Sequence, residues 1–223
     1  MSTVSGAYYG GIVLDGLVLN VDAAKRESYP KTGTTWKDIS KNGNNNGTLT
    51  NDPIFNSDNR GSIAFDGTND IVNFGPFSLL TGSNFSLSFW VKLNVNNITH
   101  VPIAKDSHFS IAFFSNRISY ADGSNWNYSA FGNYSNFSTD TWYNIAAVRN
   151  GTNVTLYSNS ASIASLTFGG DVTGNANNFY LGAYAGTSNY FNGNISSMFI
   201  YNKSLTSNEV TQNYNALKGR YGL

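Results

Sequence analysis

Phe85, Leu87, Phe89, Val91 and Leu93 alternate with Ser86, Ser88, Trp90 and Lys92. A period of two held over nine residues fits a β-strand rather than a helix, and it sets five large apolar side chains on one face of a sheet. Burying them contributes roughly 1.5–3 kcal/mol each, so this strand is expected at the centre of the fold. Just upstream, Ile63-Ala64-Phe65 and Ile71-Val72-Asn73-Phe74 flank the polar turn DGTND. Asp-Gly between two apolar runs predicts a hairpin, because glycine accepts the positive φ that tight turns need. Residues 62–93 are therefore read as the stretch that organises the chain.

The rest of the pattern is one of short strands between turn signals. Residues 142–149, the pair Asn150-Gly151 and residues 154–157 predict a second hairpin, with a type I′ turn. Further strands are expected over residues 12–21, interrupted at Asp15-Gly16, and over 48–50, 101–105, 109–114, 117–120, 179–182 and 195–201. One helix is predicted, over residues 206–217. Thr206-Ser207-Asn208-Glu209 forms a capping box. Val210, Tyr214 and Leu217 make one apolar stripe, and Gly219 is placed to end the helix in the left-handed conformation. The chain has no internal repeat and no composition shift that marks a linker. Residues 1–11 read as an N-terminal arm and residues 12–223 as a single domain. Many short strands with turn signals every 8–12 residues or so point to an all-β, two-sheet antiparallel sandwich of jelly-roll type with a short C-terminal helix.

Composition removes several function classes. Only 12% of the 223 residues are charged and the formal net charge is zero, with no basic run. Nucleic acid is not an expected partner, since affinity there comes from clustered Lys and Arg. Near-zero charge leaves little repulsion between copies, which is compatible with a homo-oligomer. With no cysteine and two histidines, disulfides and thiolate or His-rich metal sites are not expected. The first twenty residues lack the basic and apolar regions of a leader, and no run approaches the roughly 18 apolar residues of a membrane span.

FDGTND, FSLSFWVKL, TWYNIAAVRNGTNVTLY, YLGAY and FNGNISSMFIYNKSLTSNEV occur in that order. Together they resemble the laminin-G-like, concanavalin A-like jelly-roll domains, over nearly all of the chain from residue 12 onward. The opening GLVLNVDAAKRESYPKTGTTWKDISKNGNNNGTLTNDPIF resembles the variant of this domain in structural proteins of tailed phages, especially marine ones. That resemblance implies a place on the virion surface, as a capsid decoration or fibre protein made in the host cytoplasm. It also implies other virion proteins, such as the major capsid or tail proteins, as partners. The same fold hosts lectins, glucanases and adhesion modules.

An enzyme of the glucanase kind needs two carboxyl groups about 5–5.5 Å apart for retention. The only glutamates are Glu27, in a predicted loop, and Glu209, in the capping box. No strand carries paired acids, and His100 and His108 are read as surface residues rather than bases. No catalytic residue is assigned. Related domains often hold calcium at the rim of the sandwich, and Asp66, Asn69 and Asp70 are the candidate oxygen ligands. The same residues fit Asx turns that cap their own backbone, and that reading is favoured. Ser196 stands after Gly193-Asn194-Ile195 where many relatives carry an Asp, which removes one ligand. No other cofactor is expected.

Aromatic rings beside amides suit sugar stacking, and they also suit contact with neighbouring protein chains, the use favoured for a coat component. Trp126, Tyr128, Phe131 and Tyr134 interleave with asparagines in one loop, and Tyr184 and Tyr190 sit in another. Trp36, Trp90 and Trp142 are read as structural. The resulting expectation is a non-enzymatic phage virion protein whose outer loops are open to host-surface glycans. The alternative is a free-standing carbohydrate-binding lectin module.

Overall fold

The structure, a computed structural model, describes residues 11–106, 108–114, 117–122, 129–130, 137–168, 172 and 177–223. In chain order the strands are β1 (Leu17–Asp22), β2 (Thr35–Trp36), β3 (Gly47–Thr50), β4 (Ile54–Asn56), β5 (Ser62–Asp66), β6 (Ile71–Pro76), β7 (Asn84–Leu93) and β8 (Thr99–Lys105). They continue with β9 (Phe109–Phe114), β10 (Arg117–Asp122), β11 (Ser129–Ala130), β12 (Trp142–Asn150), β13 (Asn153–Ser158), β14 (Ala161–Thr167), β15 (Asn178–Leu181) and β16 (Asn192–Tyr201). One helix, α1 (Ser207–Leu217), follows. The strands form two antiparallel sheets packed face to face. The first runs β14-β13-β12-β7-β16-β5-β4, with β1 continuing the β5 side of β16; the second runs β11-β10-β9-β8-β15-β6-β3-β2. This is the expected two-sheet sandwich with a short C-terminal helix.

Strand β7 lies between β12 and β16, and its five alternating apolar side chains are fully buried. They pack in one core with Val72, Ile103, Phe109, Phe113 and Phe179 of the opposite sheet. The other face of β7 is buried as well, because the chain after β16 folds across it. The Ser86 hydroxyl donates to the Lys203 carbonyl (2.8 Å) and accepts from the Leu205 amide (2.9 Å). The Trp90 ring stacks on Tyr221 at 4.0 Å and on Tyr214 at 5.8 Å. The capping box is formed, with Thr206 Oγ1 accepting from the Glu209 amide and Glu209 Oε2 from the Thr206 amide. Arg220 then locks this third layer. Its Nη1 donates to both Asp22 carboxylate oxygens at 3.0 Å, and its Nη2 donates to Ser196 Oγ at 2.7 Å.

Several local expectations are corrected. Strands β5 and β6 do not pair; they lie in different sheets, so the 66–70 turn is a crossing between layers and not a hairpin. Ile63 and Phe65 face the core from one side and Val72 from the other, which a flat hairpin does not allow. In the β12–β13 hairpin, Asn150 pairs with Asn153, so the central residues are Gly151 and Thr152. Only Gly151 has positive φ (62°), which is the glycine-first pattern of a type II′ turn. Residues 12–16 precede the strand, and β1 begins at Leu17 after Gly16 (φ 74°). Helix α1 passes into a 3₁₀ turn at Lys218–Arg220, and the left-handed glycine is Gly222, not Gly219. Strand β14, absent from the expected set, forms the edge of the first sheet beside β13.

Both histidines were expected at the surface, yet His100 is fully buried in β8, against Phe191 (5.3 Å) and Phe113 (5.9 Å). Burial lowers its pKa to about 4. Lys105, on the same strand, is also fully buried, with Nζ donating to the Leu80 carbonyl at 3.1 Å. Its pKa falls to about 8 for the same reason. Of the expected N-terminal arm, residues 1–10 lie outside the described residues; the Gly11 carbonyl accepts from Gln212 Nε2 at 2.9 Å.

Candidate ligand site at the rim of the sandwich

The crossing turn is held by its own acids. Asp70 Oδ2 accepts from the Asp66 amide at 3.0 Å, and Asp66 Oδ1 accepts from the Thr68 amide at 2.7 Å. The Thr68 amide is the main reason the Asp66 carboxyl titrates below its usual range. Asp70 is only 4% exposed. Burial, together with the negative charges of Asp66 and Asp52, raises its pKa despite the bond from the Asp66 amide. Neighbouring amides brace the turn: Asn51 Nδ2 donates to the Asn69 carbonyl (2.9 Å) and Asn192 Nδ2 to the Asp66 carbonyl (3.0 Å). Asn192 in turn accepts from Asn94 Nδ2 at 3.0 Å.

Residues 182–191 form a loop anchored at both ends on this turn. Gly182 lies so close that a Cβ there would stand 2.6 Å from the Asp70 carbonyl oxygen. At the other end Asn192 binds Asp66, and the Phe191 amide closes the loop on the Gly182 carbonyl at 2.8 Å. Strand β8 supports it from beside, through Gly182 N–H to Pro102 O (3.0 Å) and Val101 N–H to Asn189 O (2.9 Å). Four of its backbone positions are left-handed: Gly182 (94°), Ala185 (49°), Gly186 (71°) and Asn189 (48°). Ala185 has no glycine's freedom, and such strain persists where surrounding contacts over-determine the backbone, often at binding sites. Gly186 sits against the Tyr180 ring, which places the loop over the outer face of the second sheet. The Tyr180 hydroxyl accepts from Asn178 Nδ2 at 2.9 Å.

The structure thus brings together two sets of predicted residues. Asp66, Asn69 and Asp70 form the turn, and Tyr184 and Tyr190 lie on the loop clamped to it. Tyr184 is half-buried and packs with Phe114 against Val101, Ala104 and Ala112; Tyr190 is half-buried too. Trp126, Tyr128 and Tyr134, with Phe131, lie outside the described residues. The sequence reading missed Asn51, Asp52, Asn192 and Gly182. The only signal for the first two was the turn-forming Asn-Asp-Pro, and both take positive φ (65° and 67°).

A calcium ion takes six to eight oxygen ligands. Among the described residues no three His, Cys, Asp or Glu side chains converge, and one oxygen each of Asp66 and Asp70 already serves the turn's amides. The described donors do not by themselves make up that shell. Ser196 donates to the Gly61 carbonyl (2.7 Å) and accepts from Arg220, so it belongs to the C-terminal lock. Glu209 bonds to Lys203 Nζ at 2.7 Å, the main cause of its lowered pKa, while Glu27 is exposed in the turn after β1. The two glutamates are not paired. Trp36 and Trp90 are fully buried, and Trp142 Nε1 donates to Asn59 Oδ1 at 3.0 Å.

The helix layer covers the outer face of β7 and β16 in the first sheet, while the 66–70 turn and the 182–191 loop lie at the rim beside the outer face of the second. A two-sheet antiparallel sandwich of this kind is a lectin-like fold. The family described as the concanavalin A-like lectin/glucanases superfamily matches residues 66–211, and the chain belongs to it. No curated protein matches the sequence.

Solved structures share the fold at low identity. Domain 4 of AbnA, a GH43 extracellular arabinanase from Geobacillus stearothermophilus, in complex with arabinotriose, aligns with a TM-score of 0.72 at 20% identity, over 91% of this chain and all of that one. The botulinum neurotoxin serotype D binding domain gives 0.67 at 16% identity, covering 91% of this chain and 52% of that chain. Trypanosoma rangeli sialidase, in complex with the inhibitor DANA, gives 0.69 at 14%, covering 95% and 34%. The chain therefore spans all of the arabinanase domain but about half of the toxin domain and a third of the sialidase.

Proposed function

We propose that this chain is a non-enzymatic carbohydrate-binding module that holds a glycan at the rim formed by the 66–70 turn and the 182–191 loop. The observation that carries the reading is the clamping of a strained, tyrosine-bearing loop onto a turn rich in carboxylate and amide groups. Tyr190 offers a ring face for stacking, and Asp66, Asn69 and Asn192 offer hydrogen-bond partners for hydroxyls. Shared fold with an arabinanase domain in complex with arabinotriose supports the same reading. A glycan array on the full chain, run with and without calcium, tests it. A defined glycan is expected to bind, and Tyr190→Ala is expected to weaken it by about tenfold, some 1.4 kcal/mol. Absence of any glycan ligand under both conditions refutes the reading.

Carriage on a phage virion is a second reading, favoured by the resemblance of residues 16–55 to phage structural proteins. The module then sits on the particle surface in contact with capsid or tail proteins, as single copies or as a homo-oligomer. Mass spectrometry of purified particles, with copy number relative to the major coat protein, decides it. High copy number fits a capsid decoration, a few copies fit a fibre, and absence removes the virion from the account.

A further inference from the structure

His100 is the second residue of β8, and its fully buried ring packs against the end of the 182–191 loop. Phe191, the last residue of that loop, lies 5.3 Å from it, and Phe113 of β9 lies 5.9 Å away on the strand beside it. Among the described residues neither ring nitrogen has a hydrogen-bond partner. A neutral imidazole carries one donor and one acceptor, and burying both unpaired costs free energy. The next residue, Val101, donates its amide to the Asn189 carbonyl of the loop, and Pro102 accepts from the Gly182 amide. Strand β15 pairs only with Ile103–Lys105 of β8. Beside the start of β8, then, the loop takes the place of a strand. Releasing it uncovers His100 and leaves both sheets intact. The loop is itself strained at Ala185 and Asn189. An unpartnered polar ring and a strained cover thus share one unit, which places that unit at the low end of local stability.

We propose that the 182–191 loop is an acid-released latch, in which protonation of His100 frees Phe191 and opens the rim. An imidazolium has two donors and meets no acceptor in this setting, so it reaches one only in water. Burial holds the imidazole at about 4, against an ordinary value of 6.5. The open form, with His100 in water, therefore binds more protons than the closed form between these values, and opening gains as pH falls through the window. From pH 7.5 to 5.5 the open population grows about tenfold. Other groups do not reproduce this dependence. Strands β9 and β15 and the loop carry no charged side chain, and the residues that β5, β7 and β16 turn into the core are apolar. Lys105, Asp106 and His108 lie at the far end of β8, and Asp140, which bonds the Leu93 carbonyl through its amide, is exposed. Asp66 and Asp70 adjoin the loop. Asp70, with Asp52 nearby, titrates above the usual carboxyl range, so acid favours the closed form there, the opposite sign. Asp66 titrates below that range, outside the window. Loss of a glycan on opening rests on the reading above; the latch itself does not.

Hydrogen exchange without ligand tests it, with each rate divided by its intrinsic value at the same pH. Protection of the Val101, Gly182 and Phe191 amides is expected to fall about tenfold between pH 7.5 and 5.5, while Leu87 and Phe89 of β7 keep theirs. His100→Phe is expected to abolish the fall. Equal protection at both pH values in the parent overturns the proposal, and so does a fall that persists in His100→Phe. A fall shared by β7 also overturns it, because the whole domain is then opening. A second measurement needs no change at His100: its ring proton signals, assigned against His108→Gln, are expected to titrate below the ordinary 6.5. A midpoint at the ordinary value overturns the latch. A glycan array that finds no ligand at either pH refutes the glycan reading and leaves these outcomes unchanged.

Discussion

Gly182→Ala tests whether the loop and the crossing turn are one unit. Gly182 has φ of 94°, where an alanine pays about 1–2 kcal/mol for a left-handed backbone. An added Cβ would also stand 2.6 Å from both the Asp70 carbonyl oxygen and the Phe65 ring. Neither neighbour yields easily, since Asp70 is bonded into its turn and Phe65 is buried in the core. Overpacking of this kind costs about 1–3 kcal/mol more. The sum, about 2–5 kcal/mol, lowers Tm by about 4–20 °C for a domain of this length. Gly75→Ala is the internal control, because Gly75 has a similar φ of 70° with open space around its missing Cβ. It carries the backbone cost alone. Chemical denaturation of both variants against the parent separates the two contributions. A Gly182→Ala cost no greater than that of Gly75→Ala would show that the loop does not rest on the turn, and would refute the site as drawn.

Three further outcomes follow from the same contacts. Arg220→Ala leaves the buried Asp22 carboxylate without its guanidinium and is expected to cost about 3–5 kcal/mol; the Asp22→Ala/Arg220→Ala double variant recovers part of that, which urea denaturation measures. Ala185→Gly returns the strain of a left-handed alanine, about 1–2 kcal/mol, against about 0.5–1 kcal/mol of glycine entropy, so its stability by thermal denaturation equals or slightly exceeds the parent's. Lys105 has a folded pKa of about 8, below its ordinary 10.5. The unfolded chain therefore binds more protons than the folded one between these values, and stability gains as pH rises through that window. Lys105→Met is expected to remove that share of the pH dependence and to stabilise the protein at pH 7. A parent and variant whose stabilities run parallel from pH 7 to 10.5 would contradict it.

Much of this architecture is legible in the residues, and what is hidden has a common cause. Strand β7, the β12–β13 hairpin and the capping box of α1 depend on neighbours in sequence, and their patterns are local. The crossing at 66–70 looks like a hairpin because Asp66 and Gly67 specify a turn but not which sheet receives the next strand. Strand β14 hides because Ala161, Ser162, Ala164 and Ser165 carry no large alternating side chains; it forms by adding to the edge of β13. His100 looks like a surface residue because nothing local announces that Phe113 and Phe191 will enclose it. The site splits the same way. Asp66, Asp70, Tyr184 and Tyr190 stand out singly, but their juxtaposition depends on β15 pairing with β6 and β16 pairing with β5.

The pairing of β1 with β16 has a consequence during synthesis. Asp22 sits opposite Ser197, so the first strand emerges from the ribosome some 175 residues before its partner exists. At translation speeds of about 5–20 residues per second, that interval is roughly 10–35 s. For all of it, the nascent chain carries Leu19 and Val21 with no sheet to join. Arg220 closes over Asp22 later still. A ribosome stalled before β16 therefore holds an open half-sandwich with unpaired strand edges, a ready client for chaperones and proteases.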